Sequence, residues 1–505
     1  MFWKILMISV FFIVSIGIGL YYSKKSKSAD EFTLGGRNVG PWLSAFAYGT
    51  TYFSATIFVG YSGQFGWQFG ISSLWIGIGN AVIGSLLAWI ILGRRTRVMT
   101  NKLGASTMPE FFSRRYFSKS MKIVSSVIIF IFLVPYTASV YKGLSGLFAM
   151  SFGIDFKWCI FGMALLTAVF VVAGGYMGTA VNNFIQGIVM LVGICLIVAG
   201  VLNGKGGFSE AITALSQVES EKIPEMQGAF TSMFGPEPLQ LLSVVLLTSL
   251  GTWGLPQMVH KFYAIKDESA IKKGTVISTA FAIIVAGGSY FIGGFGRLYY
   301  DADTVVFDEI IPTMIQKALP DVLIGLVLLV VLSASISTLA SLVLTSASTF
   351  ISDFVKSFTN IKSKSELLWI RIMCGAFIVV SVVIAINPNS FITALMSLSW
   401  GALAGSFLGP FIYGLFWKRT TKLAVWASMI SGVVINGLNF FLGFTSPTTA
   451  GALSMILSLV IVPVFSLISD KKHKEEIDEM FLCYEEKVLV TKKSSLRENA
   501  ADSAE

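Results

Sequence analysis

Apolar runs of about twenty residues recur from one end of the chain to the other. Thirteen can be marked, near 3–23, 41–66, 69–93, 122–148, 157–178, 180–202, 237–260, 273–299, 322–352, 367–386, 390–417, 422–443 and 447–469. Each is long enough to cross the ~30 Å hydrocarbon of a bilayer as a helix. Composition agrees, with 13% charged residues and 54% hydrophobic ones over 505 positions, where a soluble chain carries about 25% charged. The expectation is an all-α polytopic membrane protein. Its net charge of +9 then reports loop placement and not affinity for nucleic acid.

The first run resembles a signal peptide in length, but Lys24, Lys25 and Lys27 follow it and only Lys4 precedes it. That polarity suits a retained helix whose N-terminus lies outside. Alternate connections then face the cytoplasm and hold 30 of the 37 Lys and Arg residues, as the positive-inside bias requires. The prediction is 13 transmembrane helices within 1–469, with the N-terminus outside. A polar tail at 470–505, partly helical or disordered, places the C-terminus in the cytoplasm. The outer loop 203–236 is long enough to cover an entrance, or serves as a linker. Cys159, Cys195, Cys374 and Cys483 have no regular spacing, and His260 and His473 are the only histidines. Neither a disulfide framework nor a metal-ligand pattern follows from them, and no soluble catalytic module is visible, so an enzyme is not expected.

Two runs look interrupted. Residues 43–63, "LSAFAYGTTYFSATIFVGYSG", place Gly49, Thr50, Thr51, Ser54 and Thr56 at mid-depth, and 246–260, "LLTSLGTWGLPQMVH", place Gly251, Gly254 and Pro256 within one turn. Small residues also let helices pack closely, so either run alone is ambiguous. They are, however, the first members of two groups of five spans, about 41–202 and 237–417. An odd number of spans turns the second group upside down, the arrangement of a 5+5 inverted repeat with discontinuous helices.

Asp and Glu are missing from mid-depth; Asp353 and Glu366 stand at span boundaries. Proton-coupled carriers rely on buried carboxylates or histidines. Sodium instead asks for neutral oxygens, hydroxyls together with carbonyls freed by unwinding. In "SASIST" (333–338), Ala334, Ser337 and Thr338 share one helix face. Their hydroxyls either meet an ion or bond back to carbonyls one turn earlier. The latter is expected of Ser333, Ser335 and Ser341.

Four stretches, "GGRNVGPWLSAFAYGTTYFSATIFVGYSG" (35–63), "GGYMGTAVNNFIQG" (174–187), "DEIIPTMIQKALP" (308–320) and "SASISTLASLVLTSAS" (333–348), resemble the sodium:solute symporter family in order and spacing. The likeness runs along nearly the whole chain and is nearest the branch of pantothenate, proline and monocarboxylate symporters. "TYFSATIFVG" is similar to the pantothenate carriers in particular. The resemblance implies a sodium ion held by the carbonyls of Thr50, Phe53 and Ala334 and the hydroxyls of Ser337 and Thr338. It also implies a solute pocket lined by Tyr52, Ser54, Thr56, Tyr136, Thr252 and Trp253, although Tyr136 and Trp253 could equally be packing residues.

Two departures matter. Proline carriers have an acidic residue where this chain has Tyr52, which argues against proline. Asn183 replaces the Asp of a "TDxxQ" pattern tied in some members to a second ion, so a single sodium is predicted. The expectation is a sodium-coupled symporter in the cell membrane importing a small carboxylate such as pantothenate or a monocarboxylate. The alternatives are a proline-like amino-acid symporter, a cation-coupled permease of another family with the same repeat, or a transporter-like sensor.

Overall fold

The computed structural model describes residues 2–23, 29–300, 305–359, 363–387, 391–470 and 472–484. The helices used below are α1 (Phe2–Ser23), α2 (Pro41–Tyr52), α3 (Ser62–Phe69), α4 (Leu74–Ala81), α5 (Met108–Arg115), α6 (Lys119–Phe152) and α7 (Phe156–Asn203). A second set follows: α8 (Pro238–Gly254), α9 (Pro256–Tyr263), α10 (Glu268–Gly293), α11 (Phe307–Ala318), α12 (Asp321–Thr349), α13 (Ser363–Ala385) and α14 (Ile392–Phe416). α15 (Lys422–Leu442), α16 (Pro447–Ile468) and α17 (Lys474–Leu482) complete the set. No strand occurs among the described residues; one parallel bridge joins Val39 to Ile265.

Among the described residues, ten helical stretches are long and apolar enough to cross a membrane, and the bent pair α8–α9 makes eleven. Two expected spans remain. Span 41–66 is divided between α2 and α3, and span 157–178 is the first part of α7. The loop expected near residue 179 is not found, because α7 runs unbroken for 48 residues. At 1.5 Å per residue that is about 70 Å, more than twice the hydrocarbon thickness.

The two halves repeat their order. A broken helix (α2–α3; α8–α9) is followed by a long helical stretch, a short helix (α5; α11) and a long helix (α6; α12). α7 then stands where α13 and α14 stand in the second half. Those two helices have 23 and 25 residues, together the length of α7.

Local chemistry sets the boundaries. Pro41, Pro238, Pro256 and Pro447 open helices at the first position, where a missing N–H does no harm. Thr107, Asp267, Thr421 and Ser446 cap α5, α10, α15 and α16 with their side-chain oxygens. Gly70 makes the turn after α3 at φ +63°, ψ −139°, a conformation that only glycine adopts readily.

Burial sorts the helices. Of the most apolar windows of α12 and α14, 78% and 89% of residues are inside the protein, against 22% in α1 and 33% in α13 and α15. α12 packs on α6 and α7, while α14 packs on α6, α8, α15 and α16. The exposed Phe2, Ile13, Val379, Val383 and Phe441 of the outer helices are the surface that hydrocarbon covers. α12, the carrier of "SASIST", is therefore central.

A candidate sodium and solute site at a helix break

α2 stops at Tyr52. Phe53 is extended (φ −95°, ψ 125°), Ser54 is also outside the helix, and winding resumes in the wide turn Thr56–Tyr61 that leads into α3. The break reassigns two N–H groups and leaves three carbonyls without their usual helical donors. Ala55 N–H, the usual partner of Thr51 O, donates to Ser335 Oγ at 3.0 Å. Ile57 N–H, the usual partner of Phe53 O, goes to Ser54 O at 3.0 Å. Thr50 O receives no backbone donor from Ser54.

α12 answers these freed carbonyls. Thr338 Oγ1 lies 3.3 Å from Thr50 O, 3.1 Å from Thr51 O, 3.3 Å from Phe53 O and 3.0 Å from Ala334 O. Ser337 Oγ lies 3.0 Å from Thr50 O and 2.8 Å from Ala334 O. Two hydroxyl protons thus face four carbonyl oxygens, all fully buried. Such a cluster has more lone pairs than protons and suits a small hard cation better than it suits itself.

All five residues expected to hold sodium meet here, and Thr51 O joins them. The hydroxyls also make the one-turn bonds that were the competing reading, to Ala334 O, so the two readings do not exclude each other. The expectation for the neighbouring serines fails. Ser335 caps the broken helix through Ala55. Ser341 Oγ is 2.9 Å from Thr51 Oγ1 and accepts from Lys261 Nζ at 2.9 Å. Ser333 Oγ is buried with no partner.

The six solute candidates divide into two sets. Tyr52 stacks on Trp400 of α14 at 5.9 Å between ring centres, and Tyr136 of α6 meets the same indole edge-on at 5.8 Å. Ser54 Oγ and Trp400 Nε1 are buried without a partner. Both come near the Tyr136 hydroxyl but fall short of hydrogen-bond geometry. Tyr52 itself donates to Thr248 O at 2.9 Å, and Thr56 is paired with Ser139 at 3.1 Å. Thr252 and Trp253 turn elsewhere. The Thr252 hydroxyl donates to Gly84 O and Ser249 O, and the Trp253 indole donates to Ile83 O at 2.9 Å. Neither offers an idle polar atom to a solute.

Three participants escaped the sequence reading. Trp400 was signalled only as a lone large ring within "SLSWGALAGS". Ser335 was misassigned to its own helix. Lys261 falls in a connection that the charge bias assigns to the cytoplasm, yet it is 3% exposed, donating to Ser341 and lying 5.2 Å from the centre of the Tyr176 ring. The Asn183 amide, flagged as a replaced carboxylate, is buried with neither atom partnered. Asp353 and Glu366 are buried but engaged at the end of α12: Asp353 with Lys122 (3.2 Å) and Thr107 (2.6 Å), Glu366 with Ser352 and Lys356 (both 2.8 Å).

A two-half helical fold, a central broken helix and a cluster of neutral oxygens at the break define a cation-coupled secondary transporter. The chain belongs to the sodium:solute symporter family, whose sequence model matches residues 32–432. It is 29% identical over 482 residues to the osmoregulated proline transporter OpuE of Bacillus subtilis (strain 168), covering 93% of this chain and 96% of that one. It is 27% identical over 434 residues to the sodium/proline symporter of Salmonella typhimurium (strain LT2), covering 83% and 84%. Among solved structures it is similar to a substrate-bound, outward-open Na+-coupled sialic acid symporter, at TM-score 0.76, 18% identity and 93% and 98% coverage. It is also similar in fold to Mhp1, a nucleobase-cation-symport-1 family transporter, at TM-score 0.54 and 14% identity, with 90% and 99% coverage. Sodium is accordingly the coupling ion, and the protein is a multi-pass plasma-membrane transporter.

Proposed function

We propose that this chain imports proline, or a zwitterion of similar size, together with one sodium ion by alternating access. The order of preference read from the sequence reverses here. Tyr52 argued against proline, yet the relatives are proline transporters along most of their length. A tyrosine whose hydroxyl is engaged by Thr248 O supplies no countercharge for an amine, but its ring and the rings of Trp400 and Tyr136 supply faces on which a ring ammonium can rest. The carboxylate end would fall to Ser54 Oγ and Trp400 Nε1, which are buried without a partner beside these rings and can donate to an acceptor placed there. That pair of idle donors carries the proposal. It equally accommodates a carboxylate lacking an amine, so a pantothenate-like or monocarboxylate solute is the second reading.

The sodium position is the Thr50, Phe53, Ala334, Ser337 and Thr338 cluster, with Thr51 O within reach. A single ion follows from the far side of Thr51. There Lys261 Nζ donates to Ser341 Oγ, itself 2.9 Å from Thr51 Oγ1, and Asn183 stands where a second-ion carboxylate would be. The surrounding architecture is thirteen spans within 1–469, inverted repeats at about 41–202 and 237–417, an outer N-terminus and a cytoplasmic tail at 470–505. Of that tail, residues 471 and 485–505 lie outside the described residues.

Uptake into proteoliposomes under an imposed sodium gradient, with labelled proline, pantothenate and lactate side by side, tests the solute. Proline uptake that stops when potassium replaces sodium is expected. Sodium-driven pantothenate or lactate uptake without proline uptake would select the second reading, and no sodium dependence for any solute would refute the coupling.

A further inference from the structure

Away from the helix break, α15 begins and α16 ends beside a hollow of about 530 Å³. Its wall includes Arg115, Lys422, Lys472 and His473 against one carboxylate, Asp470. Arg115 is fully buried. Its Nε and Nη2 donate to Gly414 O and Trp417 O at 2.9 and 3.1 Å, while Nη1 has no partner. Neither Lys422 nor Lys472 makes an ion pair among the described residues. Lys422 also opens α15, whose first-turn N–H groups favour an anion. His473 stacks on Phe117 at 4.3 Å and, through Nδ1, lies 3.2 Å from Glu476, so it shapes the wall more than it charges it.

One residue of this wall, Trp426, also begins a second depression. That groove, of about 230 Å³, runs between α6 and α15 and is lined by apolar side chains alone, Val124 and Ile128 facing Met429, Ile430, Val433 and Val434. Lys422, Trp426, Met429 and Val433 are spaced three or four residues apart, so the cationic hollow and the apolar groove lie along one face of α15. Ile430 and Val434 are 57% and 46% exposed on a helix that faces lipid. A basic, hydrogen-bonding pocket at the end of a span, continued by an apolar channel toward the membrane interior, matches a molecule with an anionic head and a hydrocarbon tail.

We propose that the hollow and groove together bind one anionic phospholipid, its phosphate beside Lys422 and Arg115 and one acyl chain along Trp426, Met429 and Val433. The site is separate from the sodium cluster and does not depend on which solute is carried. A soluble phosphate would use the hollow alone; the continuous groove favours the lipid.

Native mass spectrometry of the full chain, released from detergent with phosphatidylglycerol or phosphatidylcholine of identical acyl chains, tests the proposal. Retention of phosphatidylglycerol at least tenfold above phosphatidylcholine is expected. The double variant Lys422→Gln/Lys472→Gln should lower that preference by about fivefold or more. Val434→Trp, which fills the groove and leaves the charges, should lower retention as well. Equal retention of the two lipids, or a preference unchanged in the double variant, would overturn the site. Retention unaffected by Val434→Trp but abolished by millimolar inorganic phosphate would reassign the hollow to a soluble anion and overturn the lipid. A thermal midpoint for each variant within a few degrees of the parent separates lost binding from lost folding.

Discussion

The two helix breaks begin alike and are finished differently. At both, the residue that follows the first helix is extended, Phe53 at φ −95°, ψ 125° and Leu255 at φ −80°, ψ 122°. The first break faces the hydroxyl-bearing side of α12, which supplies Ser335, Ser337 and Thr338 to its unpaired groups. The second faces backbone. A Cβ placed on Gly254 would lie 2.9 Å from Ala404 Cα and 3.0 Å from Leu408 N of α14, and Pro256 restarts the helix at once. Interrupting a helix releases carbonyls; what stands opposite decides whether those carbonyls face hydroxyls, as in the proposed sodium site, or a close-packed joint.

Thr338→Val removes the hydroxyl around which the first break converges and should raise the half-saturating sodium concentration by about 100-fold. Ser337→Ala, which leaves that hub in place, should raise it about tenfold, on the order of one or two charge-strength interactions. Sodium-dependent uptake and sodium-induced thermal shifts measure both, and two wild-type responses would remove the first break from the ion site. Gly254→Ala should act on the other side of the comparison. It forces backbone against backbone, lowering stability by about 2 kcal/mol, while the folded fraction keeps its sodium affinity. A large change in sodium affinity there would mean that the breaks are not separate in function.

Lys261→Met is a finer probe. Removing the buried amine on the Thr51 side of the cluster should lower half-saturating sodium by about twofold, with a Hill coefficient still near one. A coefficient rising toward two would show that the lysine excludes a second ion. The smallest effect on transport is expected at Asp308, in α11, which packs on the Thr56–Tyr61 turn. Burial pushes its carboxyl up to about 6, opposed by the Ile392 N–H and Lys142. The folded protein therefore holds a proton that the unfolded chain has released between pH 4 and 6, and stability should fall as pH rises through that window. Asp308→Asn should flatten the dependence of the thermal midpoint on pH without moving the sodium response.

Both breaks were legible in the sequence because glycine, proline and clustered threonines are poor company for an uninterrupted helix at membrane depth. Ala334, Ser337 and Thr338 were legible because i, i+3, i+4 spacing is a property of one helix. The partners across space were not. Trp400 closes on Tyr136 across 264 positions, and no periodicity records that meeting. Ser335 illustrates the ambiguity of a hydroxyl in a helix: it bonds back by default and reaches across only when a neighbouring segment presents an unpaired N–H. Lys261 was misplaced because it ends an apolar run, where charge normally marks water. The 44° bend between α8 and α9 carries it inward instead.

The parallel bridge at Val39 ties the starting ends of these events together. Val39 N–H donates to Ala264 O at 3.1 Å, and Lys266 N–H donates to Val39 O at 3.0 Å. One strap thereby joins the segment entering α2 to the segment leaving α9. The two interrupted helices are yoked like paired oars on one pin: neither can be drawn away at that end without drawing the other or breaking both of those hydrogen bonds.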